Sequence, residues 1–250
     1  MNIGKAIILS AGQGRRLSPL TDTRPKCLID LSGKSVLHWQ LLHLKAAGLT
    51  EVVVVTGFGA EAVEEEIAQI ALPDMTVRTL FNPFYGLTDN LATCWLAREE
   101  MRGAFLLLNG DTLFEPAIAS RLLQAPASAV TVTVDRKTAY DADDMKVLTE
   151  GSRLLAIGKT IPAFDAESIG FLRFSAEGAA AFVRTVEQIM RSPEGLKRWY
   201  LSVINEMAQA GEEVSTVSIE GLGWAEMDFP EDVARNLELT QSWSRLKVAV

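Results

Sequence analysis

Cysteine is scarce in this chain: Cys27 and Cys94 are the only two in 250 residues. Neither has a second Cys or a His at ligand spacing, which argues against zinc, and two lone thiols suit a reduced, cytoplasmic protein. Histidine is equally scarce. His38 and His43 lie five apart on one helical stretch, a poor spacing for a shared face, so both read as surface or packing residues. No apolar run reaches membrane length; the first, Ala6–Leu9, is too short for a signal peptide and is soon interrupted by Gly12 and Arg15. No membrane partner is therefore expected. Pro/Ser-rich linkers, internal repeats and low-complexity tracts are missing too. Basic residues are outnumbered, 24 Lys and Arg against 32 Asp and Glu for a net charge of −8. That balance disfavours non-specific binding to nucleic acid. What remains is ordinary globular material, 48% hydrophobic and 22% charged, enough to bury a core without long disorder.

The acidity has one exception. Residues 1–34 carry Lys5, Arg15, Arg16, Arg24, Lys26 and Lys34 against only Asp22 and Asp30. In the same segment an apolar run ends abruptly in Ser10-Ala11-Gly12-Gln13-Gly14, followed at once by the two arginines. A strand feeding a glycine turn presents backbone N–H groups to an anion, and glycine lets phosphate oxygens approach the chain. Ser10, Ala11, Gly12, Gln13, Gly14 and Arg15 are thus candidate nucleotide contacts. The loop lacks the third glycine of the dinucleotide fingerprint and is not followed by Gly-Lys-Ser/Thr. A bare Gly-x-Gly can also be a plain tight turn.

Strand and helix signals alternate through the front half. Ala6–Ser10, Glu51–Thr56, Val77–Phe81 and Ala104–Leu108 read as strands. Val36–Ala47, Ala60–Ile70 and a stretch from Asp89 to about Met101 read as helices. After Glu115 the pattern changes: Ala129–Asp135 alternates, Lys146–Leu148, Leu154–Gly158, Ser168–Phe174 and Val214–Ile219 are strand-like, and Ala176–Met190 and Leu196–Ala210 look helical. The expectation is an α/β fold with three layers: a Rossmann-like, mixed and mostly parallel sheet flanked by helices. We read one domain over 1–250, with a nucleotide-binding half at 1–115 and an acceptor-binding half at 116–250.

Open α/β sheets bind ligands at the carboxyl ends of their strands. Asp111 follows the strand AFLLLNG directly, and Asp228 follows the strand-like Val214–Ile219. Two carboxylates near a triphosphate suit Mg²⁺, which takes one or two carboxylates together with phosphate and water. Alone, each aspartate could be a turn residue or a helix cap; Asp228, ahead of Pro230 and a helix, competes for the second role.

Taken together, AGxGxRL from Ala11, then SPLT from Ser18, then RPKxL from Arg24 resemble the signature of the nucleotidyltransferases that join NTPs to sugar phosphates and phospho-alcohols. The resemblance implies roles. The glycine loop holds the nucleotide, Arg16 and Lys26 neutralise phosphates during attack, and Gly110-Asp111 with Trp224–Asp232 place Asp111 and Asp228 on Mg²⁺. Arg15 departs from the Thr or Ser more usual there. Phe81–Tyr85 and Thr88–Leu91 resemble the Asn-rich segment of phosphocholine and related cytidylyltransferases, which brings Asn90 to the nucleotide and Tyr85 and Asp89 to the acceptor. Asp89-Asn90 is equally a helix start. Gly57 and its loop are expected near the base, and Gly110 beside the phosphates.

Acceptor contacts are expected from Lys146, for the acceptor phosphate, and from Glu167, whose Glu-x-x-Gly stretch resembles one that meets the acceptor in sugar nucleotidyltransferases. Lys146 could also belong to a solvated hairpin. Tyr85, Trp199, Tyr200 and Trp224, with acidic help from Asp89 or Glu226, could box a quaternary ammonium, since cations bind over aromatic faces. Trp95 lies in a helical apolar stripe and reads as core. The favoured reading is a Mg²⁺-dependent cytidylyltransferase moving CMP from CTP onto a small phosphorylated alcohol such as phosphocholine. A sugar-1-phosphate or inositol-phosphate nucleotidyltransferase is the alternative within the class. An inactive, nucleotide-binding regulatory subunit is the alternative outside it. A homodimer is left open.

Overall fold

The computed structural model describes residues 3–246; the one-domain reading of 1–250 extends past these at both ends. Along the chain run β1 (Lys5–Ser10), β2 (Asp30–Leu31), β3 (Lys34–Ser35), α1 (Val36–Ala46), β4 (Glu51–Thr56), α2 (Ala60–Gln69), β5 (Thr76–Phe81) and α3 (Asn90–Leu96). Then come β6 (Phe105–Asn109), β7 (Thr112–Phe114), α4 (Pro116–Gln124), β8 (Val130–Asp135), β9 (Lys146–Glu150), β10 (Arg153–Gly158) and β11 (Ala166–Phe174). The chain closes with α5 (Ala176–Ile189), α6 (Tyr200–Gln209), β12 (Val214–Ser218), β13 (Trp224–Glu226) and α7 (Asp232–Leu246).

Nine strands form the main sheet in the order β5-β4-β1-β6-β11-β8-β12-β10-β9. The first four neighbours pair in parallel, each joined by a helical crossover. β11 then runs antiparallel to both β6 and β8, so the sheet becomes mixed where its second half begins. Near Ala166 and Glu167, β11 also pairs with β9.

Alternation along the strands sorts the core into two faces. Ala6 and Ile8, Val52 and Val54, Leu106 and Leu108 pack with Leu37 and Leu41 of α1, Val63 of α2 and Ile118 of α4. Ile7, Val53, Val55 and Leu107 face the other way, against Leu91 of α3, Phe182 of α5 and Ile204 of α6. Helices therefore cover both faces, which is why the parallel strands read as continuous apolar runs. Each fully buried large side chain contributes roughly 1.5–3 kcal/mol. β8 alternates Val and Thr, yet Thr131 and Thr133 are buried as well. Their hydroxyls have partners: Thr133 Oγ1 donates to Phe171 O and Thr131 Oγ1 accepts from Arg173.

Two expected helices are shorter than their patterns. α3 stops at Leu96 and gives way to a 3-10 turn at Arg98–Met101. The stretch from Leu196 is broken: a 3-10 turn ends at Lys197, Arg198 and Trp199 are extended, and α6 starts at Tyr200. Asn90 Oδ1 accepts the Tyr200 N–H at 2.9 Å, satisfying one of the donors that a helix start leaves open.

Candidate active site

The parallel strands aim their carboxyl ends at one place. β1 ends in Ser10, β4 in Thr56 and β6 in Asn109, and the loops that follow crowd together. Phe58 N–H donates to Ala11 O at 3.0 Å, and Gly110 N–H to Leu9 O at 3.0 Å. Gly57 and Gly110 are required here for space. A Cβ on Gly57 would lie 2.5 Å from Ala11 O, and one on Gly110 would overlap Ser10 Oγ. Gly14 has φ 80°, a left-handed turn that suits glycine, and its Cα faces the Lys26 stem. Gly12 has open space where its Cβ would stand, so a ligand can approach its backbone closely.

A two-stranded ribbon brings the distant carboxylates together. β13 pairs antiparallel with β7, Glu226 opposite Thr112, and Met227 N–H donates to Asp111 O at 3.1 Å. Asp111 precedes one strand and Asp228 follows the other. The loop after β13 is pinned by Asp232, whose Oδ2 accepts the N–H groups of Asp228 at 3.0 Å and Phe229 at 2.8 Å. Asp232 thus ties down the loop ahead of α7, and the Asp228 carboxylate is directed at cations.

Those cations are the two the signature singled out. Lys26 Nζ sits between Asp111 Oδ2 and Asp228 Oδ1, the second at 3.1 Å. Arg16 reaches Asp228 Oδ2 at 2.8 Å and Asp143 Oδ2 at 2.9 Å, and lies over the Phe229 ring. Burial works against the Lys26 ammonium, but Asp111 and Asp228 outweigh it and raise its pKa, so it stays charged. For Asp228 burial pushes upward, while Lys26 and Arg16 hold the carboxyl below its usual range. For Glu226 the balance is reversed: burial and repulsion from Asp111 and Asp228 outweigh the pull of Lys26 and push it up to about 8. Asp111 Oδ1 is buried without a hydrogen-bond partner among the described residues.

Two neighbouring clefts open here, and the cluster lines the second of them. One, of about 390 Å³, is walled by the glycine loop from Ala11 to Arg15 and by Tyr85–Asn90, with Lys197 and Trp199. The other, of about 190 Å³, holds Arg16, Lys26, Asp111 and Asp228 at one end and Asp143, Asp144, Lys159 and Glu167 around the rest. Asn90 and Trp199 line both.

Several expected acceptor contacts fall elsewhere. Tyr85 and Asp89 line the glycine-loop cleft and not the second one. Tyr200 is fully buried and donates its hydroxyl to Gly170 O, so it is a core residue. Lys146 is nearly buried and donates to the carbonyls of Asp141 at 2.6 Å and Lys159 at 3.3 Å; it ties loops together and lines neither cleft. Trp224 donates its indole N–H to Asp135 at 2.7 Å. Of the four rings considered, only half-exposed Trp199 faces the second cleft, with the Lys159 ammonium 4.6 Å above it. Asn109, Lys159 and Asp143 are cleft residues that sequence reasoning missed. Asn109 had a signal, as the last residue of a strand ahead of Gly110-Asp111; Lys159 lay after a strand among turn residues and had none.

A Rossmann-like sheet with a glycine loop, a basic pair and two carboxylates at its carboxyl edge defines a nucleotidyltransferase class of site. The chain belongs to that class: residues 6–210 match the MobA-like NTP transferase domain, and the chain is a member of this family. It is 33% identical over 235 residues to the CMP-5'-(3-aminopropyl)phosphonate synthase of Streptomyces rubellomurinus, covering 91% of this chain and 37% of that protein. It is 24% identical to the CTP:phosphoglutamine cytidylyltransferase of Campylobacter jejuni, covering 93% of this chain and 99% of the relative. The chain thus spans well under half of the Streptomyces relative and nearly all of the Campylobacter one. Among solved structures, the inositol-1-phosphate CTP transferase of T. maritima superposes with a TM-score of 0.82 at 20% identity, covering 96% of this chain and 95% of that one. At that identity the likeness concerns the fold.

Proposed function

We propose that this protein is a Mg²⁺-dependent cytidylyltransferase that moves CMP from CTP onto a small phosphorylated acceptor and releases pyrophosphate. The observation that carries this reading is the Arg16–Asp228–Lys26–Asp111 cluster, set in a polar cleft that adjoins the glycine-loop cleft at Asn90 and Trp199. CTP is favoured as donor because the relatives described above are named for CTP or CMP chemistry.

The glycine-loop cleft takes the nucleotide, with Ser10–Gly14 at its phosphates and Tyr85, Asp89 and Asn90 on the opposite wall. The second cleft takes the acceptor. A phosphate oxygen of the acceptor attacks the α-phosphorus; a P–O bond forms there, the bond to the bridging oxygen of the β-phosphate breaks, and pyrophosphate leaves with that electron pair. The attacking oxygen is already ionised, so no general base is required. Lys26, held as a cation, stabilises the charge that spreads over the α-phosphate, and Arg16 grips the leaving pyrophosphate. Asp111 and Asp228 fit Mg²⁺: one Asp111 oxygen is buried and unpartnered, and the other shares a cation with Asp228. When bound there, Mg²⁺ supplies charge neutralisation at the reacting phosphates.

A sugar or inositol phosphate as acceptor is the second reading, favoured by the polar lining of the second cleft. Pyrophosphate release from four NTPs against a panel of phospho-alcohols and sugar phosphates tests the whole. We expect release with CTP and at least one acceptor, dependent on Mg²⁺. Silence with every pair would reject the function.

A further inference from the structure

The second cleft is acidic beyond what its cations need. Arg16, Lys26 and Lys159 line it, but so do six carboxyl groups; Asp143 is paired with Arg16 and Lys159, and the surplus lies at Asp144 and Glu167. Glu167 is the notable member. It is 3% exposed. One of its oxygens, Oε2, accepts from the Lys137 ammonium at 2.8 Å, and Asp144 accepts from the same ammonium at 2.9 Å. The other oxygen, Oε1, is buried with no hydrogen-bond partner among the described residues. Leaving a buried acceptor unsatisfied is costly, which points to a donor that arrives with the ligand. The acids Glu167 and Asp144 already hold one primary ammonium, that of Lys137. Burial, opposed by Lys137 and reinforced by Asp144, holds the Glu167 carboxyl up at about 7.

We propose that Glu167 and its acidic neighbours form a subsite for a primary ammonium at the far end of the acceptor, so that the acceptor class is an aminoalkyl phosphate or phosphonate. The inference rests on the cytidylyltransferase reading above. Its phosphorus end meets the reacting centre beside Lys26, and its ammonium donates to Glu167 Oε1. A quaternary ammonium is a poor fit: it has no N–H for the orphaned oxygen, and the single ring of the four on this cleft, Trp199, already has Lys159 over its face. A ligand without charge at that end leaves Oε1 unsatisfied.

Acceptor kinetics with CTP separate these cases. The probes are phosphoethanolamine, 2-aminoethylphosphonate, phosphocholine, ethyl phosphate and inositol phosphate, each with wild type, Glu167→Gln and Glu167→Asp. We expect kcat/KM for one of the two primary amines to exceed that for ethyl phosphate and phosphocholine by about ten-fold or more. Which amine leads distinguishes phosphate from phosphonate. That ratio should collapse towards one in Glu167→Gln and be partly kept in Glu167→Asp; circular dichroism checks folding. Turnover that favours phosphocholine, ethyl phosphate or inositol phosphate overturns the ammonium subsite and leaves the cytidylyltransferase reading standing. So does a ratio untouched by Glu167→Gln in folded protein. No pyrophosphate from any pair rejects both.

Discussion

Lys26 stands between Asp111 and Asp228 with its ammonium largely out of water, and the two carboxylates keep it charged. Removing a carboxylate therefore removes the partner that positions Lys26 and, on the proposed reading, a Mg²⁺ ligand. Asp111→Asn and Asp228→Asn should each lower kcat by about a hundred-fold or more, because preorganised charge is usually the largest catalytic contribution; near-normal turnover in either folded variant would contradict the assignment. Lys26→Ala should lower kcat more than it raises the KM for CTP, since its contact strengthens as charge develops. A change confined to KM would make it a ground-state binding residue. Glu167 adds a stability prediction. Its carboxyl is raised to about 7, so between roughly pH 4.5 and 7 the folded protein holds a proton that the unfolded chain releases. Stability should fall as pH rises through that window. Glu167→Gln should flatten the fall in a Tm-against-pH series; an unchanged slope would mean Glu167 is not its source.

At the scale of elements, β1, β4, β6 and the crossover helices were legible because continuous apolar runs bounded by glycine are what a sheet covered on both faces demands. The glycine loop and Asp111 were legible for a related reason, since they directly follow strand ends, whereas Arg16 and Lys26 were singled out by the longer signature they resemble. The ribbon of β7 and β13 was not, since three-residue strands carry no periodicity, and it is this ribbon that puts Asp228 beside Asp111. Nor could helical patterning show that Arg198 and Trp199 interrupt a helix, because Asn90 satisfies the new start from another part of the chain. Lys146 and Tyr200 have the chemistry of ligand contacts but are taken up by carbonyls and core. Arg173 of β11 is the opposite case, a charge that sequence placed on a buried strand. It is 7% exposed and donates to the carbonyls of Leu122, Leu123, Ala125 and Pro126 at the end of α4. Arg173→Met should cost about 2–4 kcal/mol by leaving those acceptors buried and unpaired. Urea unfolding measures it, and a loss under 0.5 kcal/mol would mean water reaches them readily.

Over the whole molecule, a smaller core group apart from the two sheet faces joins α7 to the N-terminal segment and to the loop after β13. Trp243 of α7 packs with Trp39 of α1, Leu17 and Met227, so the segment bearing Arg16 and the loop bearing Asp228 share one support. Trp243→Ala should destabilise the fold by about 3–5 kcal/mol and raise the KM for CTP, because Arg16 and Asp228 both lose their footing; an unchanged KM would show that the site is held from elsewhere. No helix among the described residues is long and apolar enough to cross a membrane.

The central claim is direct transfer between a nucleotide in the glycine-loop cleft and an acceptor in the adjoining cleft that holds Lys26, Asp111 and Asp228. Incubation with α-labelled CTP tests it most directly, with and without acceptor, in wild type and in Asp111→Asn. The account predicts labelled CMP-acceptor and pyrophosphate only when wild type has both substrates and Mg²⁺, and no label left on the protein. Pyrophosphate release with a labelled protein when CTP is given alone, or undiminished product from Asp111→Asn, would contradict it.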